Sequence, residues 1–239
     1  MKFLYAALVI LAACYVAWLV PFGSSLQVSP LDQLVLEGAQ AEIANGTRYN
    51  RDMLNNYYAP RYFAGQRRSG AVYPNGDVNP GEGVCTDLVV RACRHAGVDL
   101  QQAVHEDVMS QPDSYGIARP NRYIDHRRVW VLQRYFQRHF KALTTSIGQG
   151  YENWRPGDIV VWETGSSVHM HIGIVSSRRH RWLGRPHVIH NAAYFPGVFP
   201  GRTVRQDVLP GPRALGVRVR DWRIVGHYRL SERNHERLL

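Results

Sequence analysis

Three side chains in this sequence have the types and the order that thiol catalysis requires: Cys85, His171 and His190. Cys85 opens a segment of helical periodicity, and the dipole and free amides of a helix start favour a thiolate, so a lowered thiol pKa is expected. His171 begins a predicted strand, from which its imidazole could take the thiol proton. If the next predicted strand pairs antiparallel with it, His190 would orient that imidazole. The pattern predicts a cysteine nucleophile.

Residues near these motifs are candidates for contact with the substrate or its oxyanion. Gly83 and the Cys85 amide lie at the helix start, where a tetrahedral intermediate would need hydrogen-bond donors. The remaining candidates are Tyr73, Asp77, Asp87, Asp125, Arg127 and Asn191. Two alternatives stay open, since Tyr73 and Asp77 could serve only a Gly/Pro turn, and residues 125–128 could form a salt-bridged surface cluster.

Cys85 and Cys93 are predicted to stay unpaired. They are eight residues apart, and on one helix their backbones would be roughly 12 Å apart, beyond the roughly 7 Å that a disulfide spans. Because exported proteins normally oxidise paired thiols, an unpaired Cys85 indicates a chemical role. Cys93 falls on the apolar stripe of the helix and is interpreted as core filler.

The elements that must position these residues follow from apolar spacing. Helices are predicted at 31–44, 85–97 and 127–140, and strands at 159–162, 171–175, 187–191 and 222–230. Residues 46–84 are predicted to form a folded loop region, residues 98–128 an inserted loop with at most one helical turn, and residues 177–186 a basic hairpin tip. A helix-led half followed by an antiparallel half predicts an α+β fold.

The beginning of the chain is typical of an export segment. Residues 3–20 carry no charge after Lys2, and the next charged side chain is Asp32. A retained membrane anchor, a cleaved signal and a lipoprotein acylated at Cys14 are all compatible with this segment, and each exports the rest of the chain. We therefore expect residues 1–30 to be an export signal or anchor, and residues 31–239 to be one domain on the periplasmic side of a bacterial inner membrane.

The charge balance restricts the expected partners. The chain has 29 basic and 19 acidic side chains, a formal charge of +10, and only two lysines among the basic residues. No nucleic-acid module is recognisable, so nucleic acid is not expected as a partner. For an exported protein, this arginine-rich balance predicts attraction to the anionic cell envelope.

Four motifs occur in the order Gly-x-Cys at 83–85, Arg-Pro-Gly-Asp-Ile-Val at 155–160, His-Ile-Gly-Ile-Val at 171–175 and Val-Ile-His at 188–190. This order resembles the NlpC-type papain-like cell-wall endopeptidases. Further motifs at 73–78, 83–87, 124–129 and 226–229 resemble more closely an exported bacterial family known as a domain of unknown function, the 1287 family; the likeness covers residues 33–230.

The resemblance implies a papain-like α+β fold, with a nucleophile helix on a small antiparallel sheet and a triad of Cys85, His171 and His190. The chain departs from the endopeptidases in two ways. They usually have Asp-Cys-Ser-Gly where this chain has Val84-Cys85-Thr86-Asp87, and the 98–128 insert has no recognised counterpart. The resemblance therefore supports an inference about the fold and the nucleophile of this chain better than one about its substrate.

The expected function is hydrolysis of an amide bond, with peptidoglycan stem peptides as the substrate. Two alternatives remain, an acyltransferase or lipid amidase of the same fold and a non-catalytic wall-binding module. A metal site is a minor alternative, since His169, His171 and His190 could be ligands together with Asp125 or His126. No cofactor is expected.

Overall fold

A computed structural model gives the fold, in which helices pack on one face of an antiparallel sheet. The structure describes residues 28–50, 72–77, 80–147, 150–164, 170–192, 204–209, 213–214, 217–218 and 222–230. The predicted export segment and His169 lie outside the described residues. None of the helices within the described ranges is long and apolar enough to span a membrane.

The helices in the described ranges are α1 (Pro30–Ala44), α2 (Cys85–His95), α3 (Leu100–Ser110), α4 (Pro112–Tyr115) and α5 (Val129–His139), with a 3₁₀ turn at Asp125–Arg127. Helix α1 begins where the Ser29 hydroxyl accepts a hydrogen bond from the Asp32 amide (3.1 Å), and it ends before Gly46, whose φ is 62°. Capping by serine and termination at glycine are the usual ends of a helix. The predictions of α1, α2 and α5 are confirmed to within about two residues.

Helix α2 packs closely against α1. Leu88, Ala92 and Cys93 on its apolar stripe are buried. A Cβ on Gly38 of α1 would lie 2.7 Å from the Ala92 Cα, so only glycine permits this approach of the two backbones. Gly97, with a φ of 84°, follows the end of α2. Helix α2 is thus held in place by the packing of its buried residues.

The predicted loop at 98–128 is wrong, because most of this stretch is helical. Asp99 caps α3 by accepting a hydrogen bond from the Gln101 amide (3.2 Å). Leu100, Val104 and Val108 are fully buried at steps of four, which is the spacing of one helix face. The sequence pattern did not predict this apolar stripe because polar residues separate its members. Similarly, the described parts of the predicted loop at 46–84 contain two short parallel strands, β1 (Arg48–Tyr49) and β2 (Glu82–Gly83).

The remaining strands are β3 (Lys141–Ala142), β4 (Ile159–Glu163), β5 (Met170–Arg179), β6 (Pro186–Asn191), β7 (Val204–Val208), β8 (Arg213–Ala214), β9 (Val217–Arg218) and β10 (Arg223–Arg229). Within the described residues, the main sheet has the antiparallel order β3-β10-β4-β5-β6-β7, and β8 and β9 form a separate hairpin. The four predicted strands are confirmed, β5 being longer at its C-terminal end. Strand β7 was not predicted, because it is a short edge strand with three polar residues.

The two faces of the sheet have different neighbours. Ile172, Ile174 and Ile189 belong to the core under the helices. Trp162 and Val188 belong to a second cluster on the opposite face, as expected because successive side chains of a strand alternate. The chain is therefore a mixed α+β protein with an antiparallel sheet.

Candidate functional site

Cys85 is the first residue of α2, and it is only 7% exposed. Burial, with a contribution from the Asp87 carboxylate, raises the pKa of the thiol to about 12, although backbone amides of Ile172 and Thr86 act in the opposite direction. A helix start favours the thiolate, but desolvation is the larger effect here. The expectation of a lowered pKa is wrong for this structure, in which the thiol is protonated at neutral pH.

Two histidines and a carboxylate form a line of hydrogen bonds. His171 Nε2 lies 2.9 Å from His190 Nδ1, and His190 Nε2 lies 3.0 Å from Asp207 Oδ2. Because a carboxylate only accepts, His190 donates through Nε2 and, when neutral, accepts from His171 through Nδ1. His171 then keeps a lone pair on Nδ1. That atom can take up a proton, as a general base must.

The line is built from three neighbouring strands. Strand β5 supplies His171, β6 supplies His190 and β7 supplies Asp207. In the β6–β7 register, His190 pairs with Arg205 and Val188 with Asp207, so the histidine and the carboxylate lie diagonally on one face. Asp207 was not among the sequence candidates. The only sequence signal for it is the pair of valines at 204 and 208 that flanks three polar residues.

A glycine and two tryptophans shape the surroundings of the imidazoles. A Cβ on Gly173 would lie 3.0 Å from the His190 Cβ and 2.7 Å from the Ile189 carbonyl oxygen. The ring centroids of Trp162 and Trp222 lie 5.7 and 4.9 Å from that of His171. Burial, followed by the neighbouring His190, lowers the pKa of His171 well below its usual value. The base is therefore neutral in this apolar setting.

The Cys85 thiol and the His171 imidazole lie on different faces of the sheet. The backbone of Ile172, the residue after His171, is close enough to the thiol to lower its pKa. The Ile172 side chain packs under the helices, whereas the His171 ring faces Trp162. Among the residues that the structure describes, no hydrogen bond joins the thiol to the imidazole. Catalytic hydrogen bonds are often loose in free enzymes and tighten with substrate.

Asp87 and Arg127 hold the loop before Cys85. Arg127 donates two hydrogen bonds to the Asp87 carboxylate (2.9 and 3.0 Å), and Asp87 accepts a third from the Val84 amide (2.7 Å). Burial raises the pKa of Asp87, but the charge and hydrogen bonds of Arg127 outweigh it and keep that pKa below its usual value. Both side chains are buried. They stabilise the segment around Cys85 from inside the fold and do not line a substrate groove, contrary to the expectation that they contact the substrate.

Gly83 and Asn191 connect this loop to the histidine strand. The Asn191 side-chain amide donates to the Gly83 carbonyl (3.2 Å). A Cβ on Gly83 would lie 2.9 Å from the Asp87 Cβ, so the turn requires glycine. The Val84 amide is bonded to Asp87 and is therefore not free to bind another group. Gly83 and Asn191 thus join the segment before Cys85 to the strand that carries His190.

The other candidates lie in structural contacts. Asp77 accepts two hydrogen bonds from Arg91 (2.8 and 3.1 Å). The Tyr73 ring packs edge-on against His105, with centroids 5.6 Å apart. Asp125 is fully buried and lies 3.3 Å from His105 Nδ1. The 125–128 residues do form ion pairs, but Asp125 and Arg127 are buried and not part of a surface cluster.

A cavity of about 600 Å³ lies away from the histidine line. It is lined by Asn75, Gly97, Asp99, Gln102, Ala103, Glu106, Asp107, Ser110, Tyr135 and His139. Across the described ranges, no group of three histidine, cysteine, aspartate or glutamate side chains is arranged to hold a metal ion. Burial lowers the pKa of His126, one of the alternative ligands, to about 3.

Comparison with known proteins identifies the family. Residues 47–230 match the model of the domain of unknown function DUF1287. A relative in Escherichia coli (strain K12), named "Uncharacterized protein YijF", is 38% identical over 177 residues, which cover 72% of this chain and 73% of the relative. No solved structure matches. With a family model that spans the described elements from β1 to β10, this chain belongs to the DUF1287 family.

Proposed function

We propose that this protein is an exported thiol hydrolase of the NlpC-type papain-like class that cleaves an amide bond in peptidoglycan stem peptides. The observation that carries the proposal is the line from Asp207 through His190 to His171, which ends one residue from Ile172, whose backbone lowers the pKa of the Cys85 thiol. A nucleophile, a base and groups that orient the base are the parts of a cysteine hydrolase.

In the proposed reaction, His171 Nδ1 takes the thiol proton while Sγ of Cys85 attacks the carbonyl carbon of the amide. The new oxyanion accepts a hydrogen bond from the Cys85 backbone amide at the start of α2. The His171 imidazolium then protonates the amine as the C–N bond breaks, which leaves a thioester. Water, deprotonated by His171, attacks the thioester, and the thiol and a carboxylic acid are released.

The resting protonation states support a substrate-coupled proton transfer. The pKa of the thiol is raised to about 12 by burial, and that of His171 is lowered by burial and by His190. Transfer of the proton before substrate binds is therefore strongly unfavourable. The enzyme deprotonates Cys85 as the carbonyl carbon is attacked, and rests with a neutral thiol and a neutral imidazole.

The class and the substrate have separate support. The papain-like class is favoured by a cysteine at the start of a buried helix, which packs on an antiparallel sheet that carries two histidines later in the chain. Peptidoglycan is favoured by the expected export and by the formal charge of +10, which suits an anionic wall.

Digestion of purified sacculi tests the proposal. The full-length protein, its Cys85→Ala variant and its Cys93→Ala variant are incubated with sacculi, and released fragments are identified by mass. Cys93 is a matched control because it is buried on the same helix, away from the histidines. Wild type and Cys93→Ala should release peptides with new carboxyl ends, and Cys85→Ala should not.

Two results would overturn the substrate assignment. Release of fatty acid from an N-acylated lipid, dependent on Cys85, would identify the lipid amidase alternative. Stable binding to sacculi without any fragment that depends on Cys85 would identify a wall-binding module.

A further inference from the structure

The turn between β5 and β6 presents apolar side chains to solvent. The observed hairpin tip comprises residues 178–185, that is the last two residues of β5 and the turn before β6, in place of the predicted 177–186. It carries Trp182 and Leu183, which are 82% and 49% exposed. Both side chains lie at its end, next to each other in sequence. Adjacent, strongly exposed large apolar side chains indicate an interaction surface more often than single ones do.

The hairpin tip is held in one conformation. His180 Nδ1 accepts hydrogen bonds from the amides of Trp182 and Leu183 (3.4 and 3.2 Å), and the Gly184 amide donates to the His180 carbonyl (2.9 Å). The two apolar side chains therefore project from an ordered turn. A surface that is already ordered loses less entropy when it binds.

A second set of hydrogen bonds ties the hairpin tip to the loop at 150–158. The Arg179 guanidinium donates to the Gly184 carbonyl (3.1 Å) and to the carbonyls of Tyr151 and Trp154 (3.2 and 3.1 Å). Arg185 donates to the Tyr151 hydroxyl (2.9 Å). These two arginines stabilise the hairpin tip, whereas Arg178 and Arg181 are exposed.

The charge around the apolar pair is entirely basic in sequence. Residues 164–206 contain no aspartate or glutamate, and the hairpin tip has arginine at 178, 179, 181 and 185. The Arg181 guanidinium lies 5.3 Å from the centroid of the Trp182 ring. Tryptophan, leucine and arginine together are typical of surfaces that enter the headgroup region of an anionic bilayer.

The start of α1 lies at the same end of the sheet. The 150–158 loop contacts both strand β5 and helix α1. Its Gly157 amide donates to the Val175 carbonyl of β5 (2.9 Å), and a Cβ on Gly157 would collide with the Asp32 carbonyl oxygen of α1. The start of α1 therefore lies at the end of the domain that carries the hairpin tip. His171 is at the other end of β5, roughly 26 Å from Arg179 at the rise of a strand.

We propose that the hairpin tip is a docking surface for an anionic phospholipid bilayer. Trp182 and Leu183 enter the headgroup region, and Arg178 and Arg181 pair with lipid phosphates. A wall polymer would be bound by the arginines alone and would leave the apolar pair in water, which is why a bilayer is the better partner. The rim with Cys85 and His171 then faces away from the bilayer.

Quenching by brominated lipids tests the docking surface in the full-length protein. Wild type, Trp182→Phe and Trp130→Phe are reconstituted into vesicles of brominated phosphatidylcholine with 30% or no phosphatidylglycerol. Trp130 is a matched control because it is 37% exposed but lies on α5. The difference between wild type and Trp182→Phe isolates Trp182 from the other five tryptophans, including Trp18 in the export segment.

With phosphatidylglycerol, we expect the Trp182 fluorescence to fall at least twofold, and to recover in 1 M salt, which screens charges beyond about 3 Å. The Trp130 fluorescence should stay within 20% of its value in unbrominated vesicles. The double variant Arg178→Gln, Arg181→Gln should lose the Trp182 quenching. Equal Trp182 fluorescence in brominated and unbrominated vesicles would overturn the proposal. Protection of Trp182 from acrylamide by sacculi, without quenching by lipid, would also overturn it and would identify the wall as the partner.

Discussion

Alkylation of Cys85 across a range of pH examines the protonation state on which the proposed mechanism depends. The pKa of the Cys85 thiol is raised to about 12 by burial, against about 8.5 for a free cysteine. At neutral pH this difference reduces the thiolate fraction about 3,000-fold. A more basic thiolate is also more reactive, and with a Brønsted slope of about 0.45 this raises the alkylation rate of the thiolate roughly 40-fold. The net prediction is alkylation roughly 100-fold slower than that of a free thiol.

The assay is iodoacetamide labelling of the full-length protein, followed by peptide mass spectrometry that resolves the three cysteines. Cys93 is an internal reference, because burial also raises its pKa to about 12 and it is fully buried. The labelling rate of Cys85 should still be rising at pH 10. Replacing His171 by alanine should change this rate less than about threefold, because no thiol–imidazole hydrogen bond exists among the described residues.

Two outcomes would refute this reasoning. A labelling rate that reaches its plateau below pH 7 would mean that Cys85 is already a thiolate in the resting protein. A tenfold or larger loss of rate at neutral pH in His171→Ala would mean that the imidazole already holds that thiolate as an ion pair.

Two other substitutions give separate predictions. In Asp207→Asn the amide can donate to His190 Nε2, which reverses the tautomers along the line and protonates His171 Nδ1. We expect kcat on sacculi to fall about 100-fold to 10,000-fold in this variant. Asp207→Glu should keep most of the activity. Loss of kcat in proportion to loss of folded protein would show that Asp207 acts only on stability. Arg127→Met leaves the Asp87 carboxylate buried and unpaired, so the free energy of unfolding in urea at pH 7 should fall by about 3–5 kcal/mol. Because Arg127 depresses the pKa of Asp87, the stabilisation from this ion pair is present above the unfolded pKa of about 4 and is lost as the pH falls further. The free energies of unfolding of the wild type and the variant should therefore converge in acid. A difference below about 1 kcal/mol at pH 7 would contradict a stabilising ion pair.

The elements around the site could be predicted wherever the pattern of apolar residues is local. Helix α2 is visible in the sequence because Leu88 and Ala92 recur at helical steps and Gly97 comes directly after them. Strands β5 and β6 are visible as runs of isoleucine and valine. Helix α3 was missed because polar residues interrupt its stripe, and β7 was missed because an edge strand needs few apolar residues.

The contacts of polar residues could not be predicted in the same way, because their partners are remote in sequence. Arg127 is 40 residues from Asp87, and Asn191 is 108 residues from Gly83. A carboxylate near the nucleophile is compatible with substrate binding, helix capping or an ion pair. Only the packing of the 3₁₀ turn against α2 shows that Asp87 takes part in helix capping and in an ion pair.

The sequence by itself determined the order of the chemical groups, the helix that begins at Cys85 and the two strands that carry histidines, since each depends on residue spacing within one element. Only the tertiary structure decided the protonation state of Cys85 and the presence of Asp207 in the histidine line. A helix dipole is a local effect that can be foreseen, whereas desolvation depends on every atom that packs around the thiol. Likewise, Asp207 reaches His190 only because β7 pairs with β6, and strand pairing is set by the whole sheet.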